Sequence, residues 1–431
     1  MNSHATRAIL LSTIMITSVI VVFLGAGIAP AAADEEEPLQ PGPISEPGVI
    51  EEPGTYTLTS DIDLGGENVT AFEIKASNVV LDGGGHTISN GASEAIHVLG
   101  QPSLSDVTVT NLKITGVETA ISTMNLQNGA FTNLELVSNV DAGLVFAGSQ
   151  GTGNLVSDVR FADNEKGVFL RQGTSGMTIR NSEFVSNHEV AVKASGSSDN
   201  EILDSTFTGQ DGEKVIHLTG RSPGHVISGN TITDSTGPEY VIQLGGESAN
   251  TVVENNVLAN NGLGGISVGP NGNTIRNNEI YDHGDNGIAV EGSGNVLQSN
   301  TVYDNPVGIQ FVGSSNSGSD NVVRNNDRWD VMAVEGATGN SLADTVVDDA
   351  GTTVSVVPAA VDFAIAGTDA PTPAAPESYE AIGKYVAVGT TSALCAADIR
   401  LHYTAADLGG ATEAALTGAL FTDGEWTGIT D

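Results

Sequence analysis

Three aromatic residues sit one step beyond an apolar position in successive repeats of the chain: Tyr281, Tyr303 and Trp329. Aromatics are only 5% of the 431 residues, so their recurrence at one position points to a role. Rings repeated at the spacing of neighbouring strands, about 4.8 Å, predict a platform on which a sugar face can lie. Polar residues gather beside them. Asp282, His283 and Asp285 follow Tyr281, Asp304 follows Tyr303, and Arg276 and Arg324 are expected at one outward position two turns apart. Such a group suits acid–base attack on a uronic acid, with Arg neutralising the carboxylate while His or Tyr removes the adjacent proton. His283, Asp282 and Arg276 are therefore the candidate catalytic residues. Tyr281, Tyr303, Trp329, Asp285, Asp304 and Arg324 are the candidate substrate-binding residues. Plainer readings stand beside this one: Asp and Asn favour turns for conformational reasons alone, and an aromatic file can be covered by a loop or by the C-terminal segment.

These residues need a scaffold that repeats. From residue 107 onward an apolar residue, a variable residue, Asn or a small polar residue and a second apolar residue recur, as in Ile179-Arg180-Asn181-Ser182-Glu183-Phe184 and Ile275-Arg276-Asn277-Asn278-Glu279-Ile280. Asn181, Asn277, Ser299 and Asn325 are assigned to one file, with spacings of 22 to 26 residues and a mean of about 24. A second ladder follows each first one, as in Gly167-Val168-Phe169-Leu170 and Gly287-Ile288-Ala289-Val290. Period-two alternation marks these as short half-buried strands. A period in the twenties with two or three strands per unit means a solenoid. The leucine-rich frame is absent, which leaves an all-β parallel β-helix of about 11 to 12 turns. Asn tolerates the left-handed conformation at a tight bend, and stacked Asn side chains can bond to one another. The apolar positions from Ile114 through Phe161, Phe184 and Phe207 to Val302 are expected to form one inward column. Repeats this regular leave no room for long loops, which favours binding or structure over catalysis.

Composition excludes several functions. Lys plus Arg is 15 and Asp plus Glu 53, a net charge of −38 that argues against binding nucleic acid through phosphates. The excess of acids is spread along the chain and is like that of a protein working in concentrated salt. One Cys, Cys395, precludes an internal disulfide. The eight His show no paired spacing and Met numbers five, so copper is poorly supported. Acidic turns such as Asp282-His283-Gly284-Asp285 offer the oxygen ligands that calcium takes, and no other cofactor is implied.

Arg7 precedes an apolar run from Ala8 to Ala29, and Ala31-Ala32-Ala33 supplies a cleavage site, so residues 1–33 are expected to be a signal peptide or, uncleaved, a membrane anchor. Residues 34–52 read as a polar lead-in and 53–357 as the coil. Pro358 to Ser378 reads as a linker and 379–431 as a small β module. Asn68-Val69-Thr70 is a glycosylation sequon.

Over about residues 45 to 357, the Pro53-Gly54-Thr55-Tyr56 opening, the Asn78-to-Ile88 turn with its Gly83-Gly84-Gly85 and the Asn-Asn repeats resemble right-handed parallel β-helix proteins of the NosD type. They also resemble the wider carbohydrate-binding and sugar-hydrolase repeat superfamily, whose fold is pectate-lyase-like. The resemblance implies an exported or cell-surface protein whose partner is a polysaccharide or cell-surface glycan. It also implies, as alternatives, a lyase, hydrolase or epimerase acting on an outer face, or an accessory role in copper-site maturation of nitrous oxide reductase.

Overall fold

The computed structural model describes residues 37–359 apart from 238 and 263, and the segments 362–368, 382–389, 398–422 and 425–429. The expected signal peptide, Cys395 and most of the expected linker lie outside these residues. Pro38–Asp431 forms one compact unit.

Each turn of the coil lays down three short strands. In one turn these are Thr274–Arg276, Glu279–Tyr281 and Ile288–Val290. The first two join a 25-stranded sheet and the third joins a 15-stranded sheet. Successive turns pair in parallel and in register, with Ile275 beside Leu297, Ile280 beside Val302 and Ile288 beside Ile309. The result is a solenoid of about 12 turns with almost no helix, as the period predicts. A three-residue strand directs its middle side chain inward, and those side chains are fully buried from Ile114 through Phe184 to Val302. Phe161, Phe184 and Phe207 stack in that column, with centroids 4.7 and 4.6 Å apart. The glycines opening the third strands serve this packing. A Cβ on Gly167 would lie 2.8 Å from the Phe184 ring, and one on Gly143 would lie 2.7 Å from Phe161.

Two bends per turn separate the three strands. Asn277 and Asp282 both have φ of +54°, the left-handed conformation that Asn and Asp tolerate best. That single reversal rotates the next residue inward. Asn256, Asn278, Asn300 and Asn321 thereby form a buried ladder in which the backbone N–H and side-chain amide of each donate to the carboxamide oxygen of the next. The ladder therefore belongs to the second Asn of each pair, whereas the sequence reading gave it to the first.

The register also departs from expectation late in the coil. Arg276 pairs with Gln298 and then Ser319, so the left-handed bend after Ser299 is Asp320. Asn325 belongs to the neighbouring file of Asn260, Asp282 and Asp304, and is not in the file of Asn181 and Asn277.

Both ends of the coil differ from the sequence boundaries. At the start, Gly42–Ile44 pairs with Gly54–Leu58, and Gly48–Ile50 with Phe72–Ile74, so the coil begins inside the expected polar lead-in. At the finish the pairing reverses. Thr353–Ala359 lies antiparallel to Asn340–Val346, and Phe363–Gly367, inside the expected linker, lies antiparallel to Trp329–Ala333. Val386–Gly389 and Ile399–His402 extend these two reversals. The reversal replaces the parallel edge that a further coil would extend.

Asp330 ties this end together. One carboxylate oxygen accepts from the backbone N–H and side chain of Asn326, at 3.2 and 2.9 Å, and the other accepts from Gly367 N–H at 2.8 Å. Burial outweighs these bonds and, helped by Asp348, raises its pKa from 3.8 to about 6. A carboxyl raised on folding opposes folding while ionised, so stability is gained as pH falls through 6 toward 3.8. The gain from this group between pH 7 and pH 4 is about 2 kcal/mol. Thermal melts of wild type and Asp330→Asn across that range should therefore diverge, with the pH-dependent rise smaller in the variant. Parallel curves would remove the assignment.

Candidate functional site

Tyr281 and Tyr303 occupy the third positions of adjacent strands and pair directly. Inward Ile280 and Val302 hold the strands to the core, so the flanking side chains must face out. The two rings stack with centroids 4.8 Å apart and planes 6° apart. The next residue in this column is Arg324, whose guanidinium carbon lies 5.2 Å from the Tyr303 centroid. The Tyr303 hydroxyl donates to Glu279 at 3.0 Å. Burial, followed by this bond to a carboxylate, holds that hydroxyl well above the ordinary tyrosine range.

This geometry changes what the rings can do. Stacked along the coil, Tyr281 and Tyr303 cover each other's faces, and Arg324 covers the far face of Tyr303. The rings present edges and hydroxyls outward, so they do not form the flat platform the spacing suggested. On the other side of Tyr281 the column continues as Ala259, whose single methyl is buried.

The remaining candidates disperse. Trp329 does not continue the column. It opens a strand of the other sheet, beside Val307, and lies against Gly389, where a Cβ would come within 2.7 Å of its ring. The two arginines do not share a position, because Arg276 belongs to the first strand of its turn and Arg324 to the second. Arg276 pairs with Glu254 and Arg324 with Asp349. His283 is turned inward and is 6% exposed. Its Nε2 bonds the Leu258 carbonyl at 3.2 Å and its backbone N–H donates to Asn305 at 3.1 Å, so it takes a place that Asn holds in neighbouring turns. A base buried as a ladder rung cannot meet a substrate on the outer face. Asp282 and Asp304 are exposed left-handed bend residues. Asp285 lies on the turn toward the second sheet, where burial and its charge push the Tyr240 hydroxyl up to about 12.

Sequence reasoning missed a cleft of about 470 Å³ near the start of the same face. Asp82, Thr87, Asn111, Lys113, Asn133 and Glu135 line it, and Lys113 pairs with Glu135 at 3.2 Å. It exists because residues 83–86 swing outward where later turns make a two-residue bend. Gly83 permits this, since a Cβ there would lie 2.5 Å from the Asn111 carbonyl. Beside it, Asp61 accepts from Thr87 N–H at 2.9 Å and meets His86 Nδ1 at 3.2 Å. The triple glycine was the available signal.

Among the described residues no group of three or more His, Cys, Asp or Glu is placed to hold a metal. His86, His97, His188, His217, His225 and His283 all lie along the coil. No helix among the described residues is long and apolar enough to cross a membrane.

Residues 77–262 match the family model described as periplasmic copper-binding protein (NosD), and residues 214–351 match that of the right-handed beta helix region. No curated protein matches. Among solved structures, a single-site mutant of the periplasmic alginate epimerase AlgG superposes with a TM-score of 0.52 at 14% identity, covering 68% of this chain and 76% of that one. A second AlgG mutant gives 0.51 at 13% identity, covering 71% and 79%. The Dettilon tailspike protein gives 0.47 at 13% identity, covering 76% and 71%. At these identities the likeness is one of fold. The chain is a right-handed parallel β-helix repeat protein, with residues 77–262 similar to NosD proteins.

Proposed function

We propose that this protein binds a polysaccharide outside the cytoplasm, on the face that carries Tyr281, Tyr303 and Arg324. The supporting observation is the stacked pair of Tyr281 and Tyr303 on an outer face, with Arg324 against Tyr303 at one end and the Ala259 methyl next to Tyr281 at the other. An apolar sugar face stacks on such a ring, and its hydroxyls reach the neighbouring carboxylates and tyrosine hydroxyls. The reading is one of binding and not of catalysis, because His283 is a buried rung and both arginines are ion-paired. A glycan partner agrees with the shared fold of AlgG, a protein named for alginate.

The test is a glycan array in concentrated salt, followed by titration. Tyr281→Ala is expected to weaken binding about ten-fold, the worth of one stacked ring. Tyr303→Ala, whose faces are already covered, should weaken it less and only by loosening Tyr281. Equal binding by wild type and Tyr281→Ala would overturn the proposal.

A further inference from the structure

The face leading to Tyr281 carries a run of threonines. On the three turns before it, the outward positions of the second strands are Thr206 and Thr208, then Thr231 and Thr233, then Val257 and Ala259. In a chain with 68 charged side chains, as 15 plus 53, three consecutive rungs of one face carry none. Thr206, Thr208 and Thr231 are exposed and Thr233 is half-buried. The threonines repeat at the strand spacing, so their hydroxyls form a flat array whose first rung lies about 14 Å from Tyr281 along the axis. Carboxylates border it, as Asp204 and Asp234 stand at the flanking left-handed bends and Glu279 beside Tyr281.

We infer that the ligand is an uncharged glycan, lying along this threonine strip and ending in the stack on Tyr281. The inference rests on the binding reading above and adds the ligand class. A uronate or sulfated chain would need cations along its path. The strip has none, and the neighbouring Arg276 and Arg324 are engaged by Glu254 and Asp349. An acidic polymer would instead meet bordering carboxylates on a surface of net charge −38, and the repulsion is strongest at low salt. Neutral hydroxyls suit the site because threonine hydroxyls both donate and accept, and the bordering carboxylates accept.

The test is calorimetric titration of the whole chain with cellohexaose, mannohexaose and hexamannuronate in 0.1 M and 2 M NaCl. A neutral hexaose is expected to bind with affinity that changes less than about two-fold between the salts, since no ion pair forms. The double variant Thr231→Val, Thr233→Val should lose about five- to ten-fold, as expected for one or two hydrogen bonds. Tighter binding of hexamannuronate than of either neutral hexaose would overturn the inference. If Tyr281→Ala then abolished that binding, the polysaccharide reading would survive and only the ligand class would fall. If no hexaose bound at all, both would fall.

Discussion

Replacing Asn300 with leucine is expected to cost about 4 kcal/mol, because the loss strands groups that water cannot reach. Asn300 is fully buried. Its carboxamide oxygen accepts from the Asn278 backbone N–H and side chain at 3.1 and 3.0 Å, and its amide donates to the Ile275 carbonyl at 2.9 Å. Leucine fills the volume and removes every one of these bonds. The Asn278 N–H and the Ile275 carbonyl are each left buried without that partner, at roughly 1–3 kcal/mol apiece. Stability in a stacked coil is local to a turn and its neighbours. The check is therefore hydrogen exchange, where protection should fall around Asn278, Asn300 and Asn321 while turns near Phe161 keep theirs. Unchanged protection at Asn278 would mean the ladder contributes nothing.

Phe184→Ala is expected to cost about 3–5 kcal/mol, the range for emptying an aromatic site in a core that cannot collapse. Collapse is opposed on both sides. Phe161 and Phe207 are held by their own strands at 4.7 and 4.6 Å from the Phe184 ring, and Gly167 has no side chain to move in. Phe184→Leu, which keeps most of the volume, should cost much less. Denaturant titration of both variants checks this, and equal midpoints for Ala and Leu would show that the stack does not fill the site as described. The pair also separates the two kinds of stabilisation in the coil. Emptying the column removes apolar burial, whereas cutting the ladder leaves polar groups unpaired.

These effects fall on features of different legibility. The inward column was readable because one apolar residue must recur once per turn whatever the loops do, and Phe184 follows from that rule alone. The Asn pairs were visible too, but which member is buried depends on the sign of φ at the first, as at Asn277. Sequence allows either assignment, because both residues are Asn. The same ambiguity produced the slip at Asn325. A three-residue strand and its bend repeat twice per turn with nearly the same pattern, so skipping one bend costs the pattern little and misplaces Arg324 and Trp329. The cleft at Asp82 was unreadable for another reason: a glycine run says the backbone can swing out, and only the neighbouring turns say what it swings away from.

What the residues alone determined is the period, the parallel coil and the identity of its core, since hydrophobic burial at fixed spacing has one economical solution. What the tertiary structure decided is direction and contact. It turned His283 inward, engaged both arginines with acids and set the tyrosines face to face. Each depends on which side chain occupies the adjacent turn some 22 residues away, and that neighbour is set by strand pairing in space.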